Sequence, residues 1–365
     1  MRRGTVGGAH SAAERMSRSG HSAIFRKTRA RAPLRLGLAG GGTDLRSYFL
    51  LHGGAVLNVT IDRFAFTTIL PRDDGRVVFE ADDIDVTEVR DEAVAAPACR
   101  LALHRGVFDR FMHDFNGGAL MPMTIKTTVD APPGSGLGSS SALVVSITAA
   151  LTAVMDLPLG SYEIAQLAHS VERDDLQLAG GLQDQYAAAF GGINFIEFLQ
   201  NDRVIVNPLR VKDAIFNELE SSIVVCFSGT SRVSSEIIER QNAGVTAGKS
   251  GTLDAMHKLK NDATEMKRAL LVGDVDGIAA ILNQSWVAKQ ATASGISSPE
   301  IDSLFALALA NGALAGKVSG AGGGGFLFFL VHPENRYRLV TALNRAGGVA
   351  SPIKFTGRGV ETWRF

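Results

Sequence analysis

Pro132-Pro133-Gly134-Ser135-Gly136-Leu137-Gly138-Ser139-Ser140-Ser141-Ala142 is the stretch on which the reading of this chain turns. Glycines at alternate positions let a loop take positive φ and let a ligand approach the backbone. The serines then open an apolar run from Ala142 to Met155. Serine is a good N-cap, so a helix is predicted to start here. A helix start offers unpaired N–H groups and the positive end of the macrodipole. A glycine loop feeding such an end is expected to hold the phosphates of a nucleotide. Met123, Ile125, Thr127 and Val129 alternate, which predicts a strand leading into the loop.

Other readings of the same stretch fit less well. A Walker A loop needs a Gly-Lys-Ser/Thr ending, which is missing here. Gly244-Val245-Thr246-Ala247-Gly248-Lys249-Ser250 has that ending but is one residue short and follows no strand, so a flexible loop is expected there. Gly138-Ser139-Ser140-Ser141-Ala142 approximates a nucleophile elbow. The elbow is a sharp strand-to-helix turn, however, and a Pro-Pro-Gly-Ser-Gly loop intervenes. A serine hydrolase at Ser140 would also need a His partner, and none is recognisable.

Working outward, 365 residues suggest two domains or one large one. Lys+Arg and Asp+Glu both total 37, so overall charge gives no support to a nucleic-acid or membrane-surface role. Two distant cysteines, Cys99 and Cys226, exclude a disulfide scaffold and a zinc ribbon. The Ala142–Met155 run is too short to span a bilayer. A reduced, cytoplasmic protein is expected. Residues 1–27 are Arg-rich and acid-poor without an apolar h-region, so a disordered tail or an upstream start codon is expected rather than a secretory signal.

Strands are predicted near residues 32–38, 56–70, 76–79, 193–198, 203–209, 222–227 and 326–331. Helices are predicted near 101–115, 163–174, 251–271, 274–290, 299–310 and 333–345. The mixture suggests two α+β domains, with a boundary near residue 210 separating 28–210 from 211–365.

Three stretches together resemble the GHMP kinase superfamily: Ala32-Pro33-Leu34-Arg35 running to Gly42-Thr43-Asp44, the 132–142 loop, and Lys317 to Gly325. They stand in the family's order across nearly the whole ordered chain. The resemblance implies a ribosomal protein S5 domain 2-like N-terminal domain and a ferredoxin-like C-terminal domain. It implies ATP bound by Pro133, Gly134, Ser135, Gly136, Leu137, Gly138, Ser139, Ser140 and Ser141. Mg²⁺ would be held by Ser140, with Ser139 and Ser141 as fallbacks, and by Glu172, with Asp174 and Asp175 as rivals. Asp184 matches the catalytic aspartate that takes the proton of the attacking hydroxyl. Arg35 matches the cation that stabilises the transferring phosphoryl group. Gly320, Gly322 and Gly323 belong to a glycine motif that can offer only backbone and shapes the site.

Galactokinases carry Gly-Glu-His before Thr-Asp, and here glycines replace Glu and His at Gly40-Gly41-Gly42-Thr43-Asp44. That form, with Tyr48, Phe49, His52 and Gly53-Gly54, resembles the heptose 7-phosphate kinase branch and the related fucokinase domains. The resemblance implies transfer of the ATP γ-phosphate to the anomeric C1 hydroxyl of a heptose 7-phosphate, in nucleotide-heptose synthesis for surface polysaccharide. Gly42, Thr43 and Asp44 would bind the sugar, and Arg46, Arg232 and Lys289 are equal candidates for the far phosphate. An L-fucose or galactose-type sugar-1-kinase is the alternative, and a non-catalytic sugar/ATP sensor a further one. The expected partners are ATP and a sugar phosphate, with no nucleic acid and no membrane; a homodimer is the oligomer to test.

Overall fold

In the computed structural model, which describes residues 25–229 and 234–365, the predicted strand over 56–70 becomes the axis of the larger sheet. β1 (Thr28–Ala39) leads through a turn and the short helix α1 (Arg46–His52) to β2 (Gly54–Pro71), and the two strands run antiparallel. Branched and aromatic side chains suit this pleated, largely buried surface. The first half of β2 pairs with β6 (Ile193–Phe198), which carries β7 (Val204–Pro208), and the second half pairs with β5 (Met123–Val129). β3 (Val77–Ala81) joins β5 in parallel, with β4 (Val86–Val89) at its edge.

α2 (Ala102–Phe115), α3 (Ser139–Val154), α4 (Ser161–Ser170) and α5 (Gln183–Phe190) accompany this sheet. α3 is apolar nearly all round and packs on β1 and β2 and against α2, α4 and α5. Such a helix can only sit in a core. Each fully buried Val, Leu or Ile along it contributes about 1.5–3 kcal/mol. Its start differs from the expectation. Gly138, left-handed at φ 75°, is the cap, and no side chain caps the helix. The serines are the first helical residues, so their hydroxyls are not spent on the helix end.

The helix predicted over 163–174 also differs. It ends at Ser170 and continues as a π turn, Val171–Asp175, closed by Leu176 N–H to the Val171 carbonyl at 3.0 Å. The wider turn changes which residues face inward.

The second half runs α6 (Asp213–Ser222), β8 (Ile223–Phe227), α7 (Ser234–Thr246), α8 (Ser250–Val272), α9 (Val275–Thr292), α10 (Pro299–Ala310), β9 (Ala313–Val318), β10 (Phe326–Val331), α11 (Arg336–Arg345), β11 (Val349–Pro352) and β12 (Glu361–Arg364). Four strands form an antiparallel sheet in the order β11-β8-β10-β9. The Walker-like stretch is not the expected flexible loop. It is the end of α7, a tight turn and the first residue of α8, with Lys249 N–H bonded to the Gly244 carbonyl at 3.1 Å.

The halves are not cut cleanly at residue 210. β12 returns to pair with β1, Phe355 bridges Ile61, and α8 lies on β1 and β2. One apolar cluster joins Leu34, Leu57 and Ile147 to Met266 and Phe328. The chain is also ordered before residue 28: Phe25 packs on the core, and the Lys27 carbonyl accepts from Phe365 N–H at 3.1 Å. The rest of the basic tail, residues 1–24, and Arg232 lie outside the described residues. Among the described residues no helix is long and apolar enough to cross a membrane.

Candidate active site

Gly134, Gly136 and Gly138 all have positive φ, at 72°, 81° and 75°. The need for glycine is steric as well as conformational at Gly136, where a Cβ would run into the Ser319 carbonyl. The loop is clamped from the C-terminal half. Phe326 N–H donates to the Ser135 carbonyl at 2.8 Å, the Ser319 hydroxyl donates to the Gly136 carbonyl at 2.8 Å, and Gly320 lies directly against Gly136. Gly322 is pressed on Ile296, and Gly323 N–H bonds the Ile296 carbonyl at 2.8 Å. The two glycine runs, far apart in sequence, are therefore two sides of one backbone joint.

A cavity of about 340 Å³ opens beside this joint. Gly134, Gly136, Gly138, Ser139, Ser140 and Ser141 line it. The other expected nucleotide residues do not: Ser135 is buried behind the loop, Leu137 is in the core, and Pro133 is exposed outside the lining.

Arg35 and Asp184, both lining the cavity, meet as an ion pair. The β1–β2 register shifts between Pro33 and Arg35, and Arg35 N–H bonds the Leu137 carbonyl at 3.0 Å instead of β2. Such a bulge re-aims a side chain. The buried guanidinium holds Asp184 Oδ1 from Nε at 2.8 Å and Nη2 at 2.7 Å, and the Gly136 carbonyl from Nη1 at 2.6 Å. Asp184 stands in the first turn of α5, against Gly138 of the loop.

Glu172 comes from the π turn and is fully buried in the cavity wall. Ser141 Oγ donates to its Oε1 at 3.1 Å, and Gln185 Nε2 donates to its Oε2. Burial pushes its carboxyl up, and the Arg173 guanidinium, 3.8 Å away, only partly offsets this. The hydroxyl bonded to Glu172 is thus that of Ser141, while Ser140 is exposed on the lining. Asp174 and Asp175 face away; Asp175 pairs with Arg110 at 2.9 Å.

The opposite wall carries Asp44. Its buried carboxylate accepts from Gly42 N–H at 3.0 Å and Gln183 N–H at 3.2 Å. Thr43 does not reach the cavity: it is fully buried, and its hydroxyl is spent on the Gly40 and Ala55 carbonyls and on Ala55 N–H. It braces the turn that presents Gly42 and Asp44. Of the cations considered for the far end of the sugar, Arg46 is outside the lining and pairs with Asp202 at 2.8 Å, whereas Lys289 lines the cavity. Lys289 is buried and donates to the Gly41 carbonyl at 3.2 Å; burial lowers its pKa to about 8. Behind it, burial and the charge of Lys289 lower Lys317 to about 7.

Arg173, Gln183, Gln185 and Gln241 also shape the site, and no sequence pattern singled them out. Arg173 bonds the Leu178 and Gly181 carbonyls at 3.3 and 3.4 Å and so pins the loop before α5. Gln183 and Gln185 flank Asp184 in sequence, and that adjacency was the available clue. Gln241, on α7, had none.

Residues 102–192 match the model of the GHMP kinases N terminal domain, and residues 266–349 that of GHMP kinases C terminal. Over 337 residues the chain is 43% identical to the D-glycero-alpha-D-manno-heptose 7-phosphate kinase of Campylobacter jejuni, covering 92% of this chain and 98% of that one. It is 26% identical to the bifunctional fucokinase/GDP-fucose pyrophosphorylase of Arabidopsis thaliana, over 84% of this chain but 30% of that protein. The crystal structure of a D-glycero-D-manno-heptose 1-phosphate kinase from Bacteriodes thetaiotaomicron superposes with a TM-score of 0.77 at 40% identity, covering 93% of this chain and 99% of that one.

Proposed function

The chain belongs to the GHMP kinase family, with ATP as co-substrate, and on that premise we propose that it phosphorylates the anomeric C1 hydroxyl of D-glycero-D-manno-heptose 7-phosphate. The Arg35–Asp184 pair, set between the phosphate loop and Asp44, carries the chemical half of this reading. The 43% identity over nearly the whole of a heptose 7-phosphate kinase supports the substrate.

In the reaction the C1 oxygen forms a bond to the γ-phosphorus, the bond to the β–γ bridging oxygen breaks, and ADP leaves. Asp184 takes the hydroxyl proton, as a positioned carboxylate can. Arg35 holds that carboxylate and offers positive charge to the transferring group. The loop N–H groups and the start of α3 bind the nucleotide phosphates. Asp44, fixed by two backbone N–H groups, accepts hydrogen bonds from sugar hydroxyls. Among the described residues no three His, Cys, Asp or Glu side chains form a metal cluster. The donors present, the Glu172 carboxylate and the Ser140 and Ser141 hydroxyls, suit Mg²⁺, which takes few carboxylates and completes its shell with phosphate and water. Glu172 and these serines would hold the ion, and it would neutralise phosphate charge. The proposed setting is the cytoplasm, in nucleotide-heptose synthesis.

The test is a coupled ADP-release assay over sugars and sugar phosphates, with ³¹P NMR of the product. The expected product is the 1,7-bisphosphate. The names of the two heptose relatives cite different phosphate positions, and the NMR spectrum distinguishes them. A preference for L-fucose or galactose would overturn the heptose reading, and ATP binding without turnover on any sugar would favour a sensor.

A further inference from the structure

Among the described residues three cations line the cavity: Arg35, Arg173 and Lys289. Arg35 is bound to Asp184 and the Gly136 carbonyl. Arg173 is bound to the Leu178 and Gly181 carbonyls beside Glu172, and its Nε has no partner among the described residues. Of the three, Lys289 is the one that stands against Gly42. An ammonium has three donors, and the hydrogen bond it makes to the described protein uses one of them, on the Gly41 carbonyl. Its side chain is buried at the cavity wall, 4% exposed.

Its position relative to Gly42 is informative. Gly42 has φ +107°, and a Cβ there would lie 3.1 Å from Gln241 Nε2 and 3.3 Å from Lys289 Nζ. The missing side chain leaves room that an amine from α9 and an amide from α7 both border. Gln241 is itself buried and held by Nε2 to Thr292 Oγ1 at 2.7 Å, and Thr292 Oγ1 in turn donates to the Lys289 carbonyl at 2.7 Å. The pair is therefore built in rather than free to swing. Burying an ammonium without a full counter-charge is costly. Asp44 supplies one negative charge nearby, Arg35 is itself paired with Asp184, and Lys317 behind Lys289 is faced by Asp262.

We propose that Lys289, with Gln241 beside it over Gly42, is the subsite for the acceptor's own phosphate, and that it makes the enzyme select a phosphorylated sugar over the free sugar. This deepens the heptose 7-phosphate reading and rests on it. The dianion supplies acceptors for the ammonium donors that the described residues leave unused and a charge partner for the buried ammonium itself. The two phosphate sites are thereby separated: the glycine loop and α3 take the nucleotide, and the α7–α9 wall takes the acceptor.

The experiment compares wild type with Lys289→Met on D-glycero-D-manno-heptose 7-phosphate and on the same heptose without its phosphate, at saturating ATP. Hydrogen bonds to a charged group are worth about 1.5–3 kcal/mol, so kcat/KM on the phosphorylated sugar should fall about 10- to 100-fold more than on the free sugar, mainly through KM. Lys289→Arg should restore part of the difference. An equal loss on both acceptors, or an undiminished preference in Lys289→Met, would overturn the assignment. Inorganic phosphate gives a second reading on the unaltered protein, which covers a Met variant that does not fold. It should inhibit competitively against the heptose 7-phosphate at saturating ATP, and absence of competition overturns the subsite. If wild type uses only the unphosphorylated heptose or neither sugar, the proposed function itself fails. That result is distinct from a wild type that prefers the phosphate and a variant that keeps the preference.

Discussion

The two ends of the cavity are built in different ways. The end proposed to bind the nucleotide is built mainly from consecutive elements, a strand, a glycine loop and a helix between residues 123 and 154, with the 319–326 run clamping the loop. The end proposed to take the acceptor is assembled from the turn after β1, the first turn of α5, and side chains of α7 and α9 that stand up to 248 residues away. Backbone N–H groups suffice to hold phosphates, so one continuous stretch can provide them. Recognising a particular sugar needs several side chains converging from different directions, and only the packing of both halves provides that.

Asp184 sits where the two ends meet, and its removal gives the largest expected effect. Asp184→Asn should lower kcat by about 10²–10⁴-fold while ATP still binds, because the proposed general base is lost and the loop is untouched. Single-turnover rates and nucleotide titrations check this; wild-type turnover would remove Asp184 from the mechanism.

A second prediction concerns the fold away from both ends. His104, on α2, is buried, with Nε2 2.7 Å from Thr127 Oγ1 and Nδ1 without a partner, and burial lowers its pKa to about 4. Its folded pKa lies below its unfolded value of 6.5. The unfolded chain therefore binds the proton first, and stability is lost as pH falls from about 6.5 to 4. The loss from this residue should be about 3 kcal/mol, at 1.36 kcal/mol per unit. Denaturant melts across that range, with His104→Gln flattening the slope, separate this global effect from any pH dependence of the cavity.

The joint between the glycine runs comes next. Gly136→Ala places a Cβ against the Ser319 carbonyl at a positive φ, and should cost about 1–3 kcal/mol of stability and weaken ATP binding. Thermal melts with and without ATP measure it. An unaffected variant would show that the nucleotide end does not depend on the C-terminal half. The smallest effect is expected at Arg46, whose exposed pair with Asp202 lies outside the cavity. Arg46→Ala should change stability by less than about 1 kcal/mol and leave the KM for the sugar phosphate in place. A raised KM would move the acceptor phosphate toward α1 and away from Lys289.

Much of the fold was legible because its elements are strongly patterned. Residues 56–70 are rich in β-branched and aromatic side chains, and they form most of β2; the apolar run after the serines forms α3. Arg35, Glu172, Asp184 and Asp44 were reached by resemblance, and all four line one cavity. Several features were not legible, each for a stated reason. Thr43 stands in the motif expected to bind sugar, yet its hydroxyl is consumed by the backbone it braces. Ser140 and Ser141 differ by one step on a helix, and which one touches Glu172 depends on a glycine cap and a π turn. β12 is four residues long, and nothing in those residues says that they complete the sheet begun by β1.

What the sequence determined by itself was therefore the glycine loop at 132–142, the helix behind it and the membership of a kinase family. The loop and helix rest on local backbone preferences, and the family on three short motifs in order, each legible from neighbouring residues. The tertiary structure decided which serine meets the buried carboxylate, that Gly136 and Gly320 form one joint, and that Lys289 and Gln241 stand over Gly42. Such contacts arise where elements far apart in the chain are pressed together by a shared apolar core, and no local pattern encodes the meeting of their side chains.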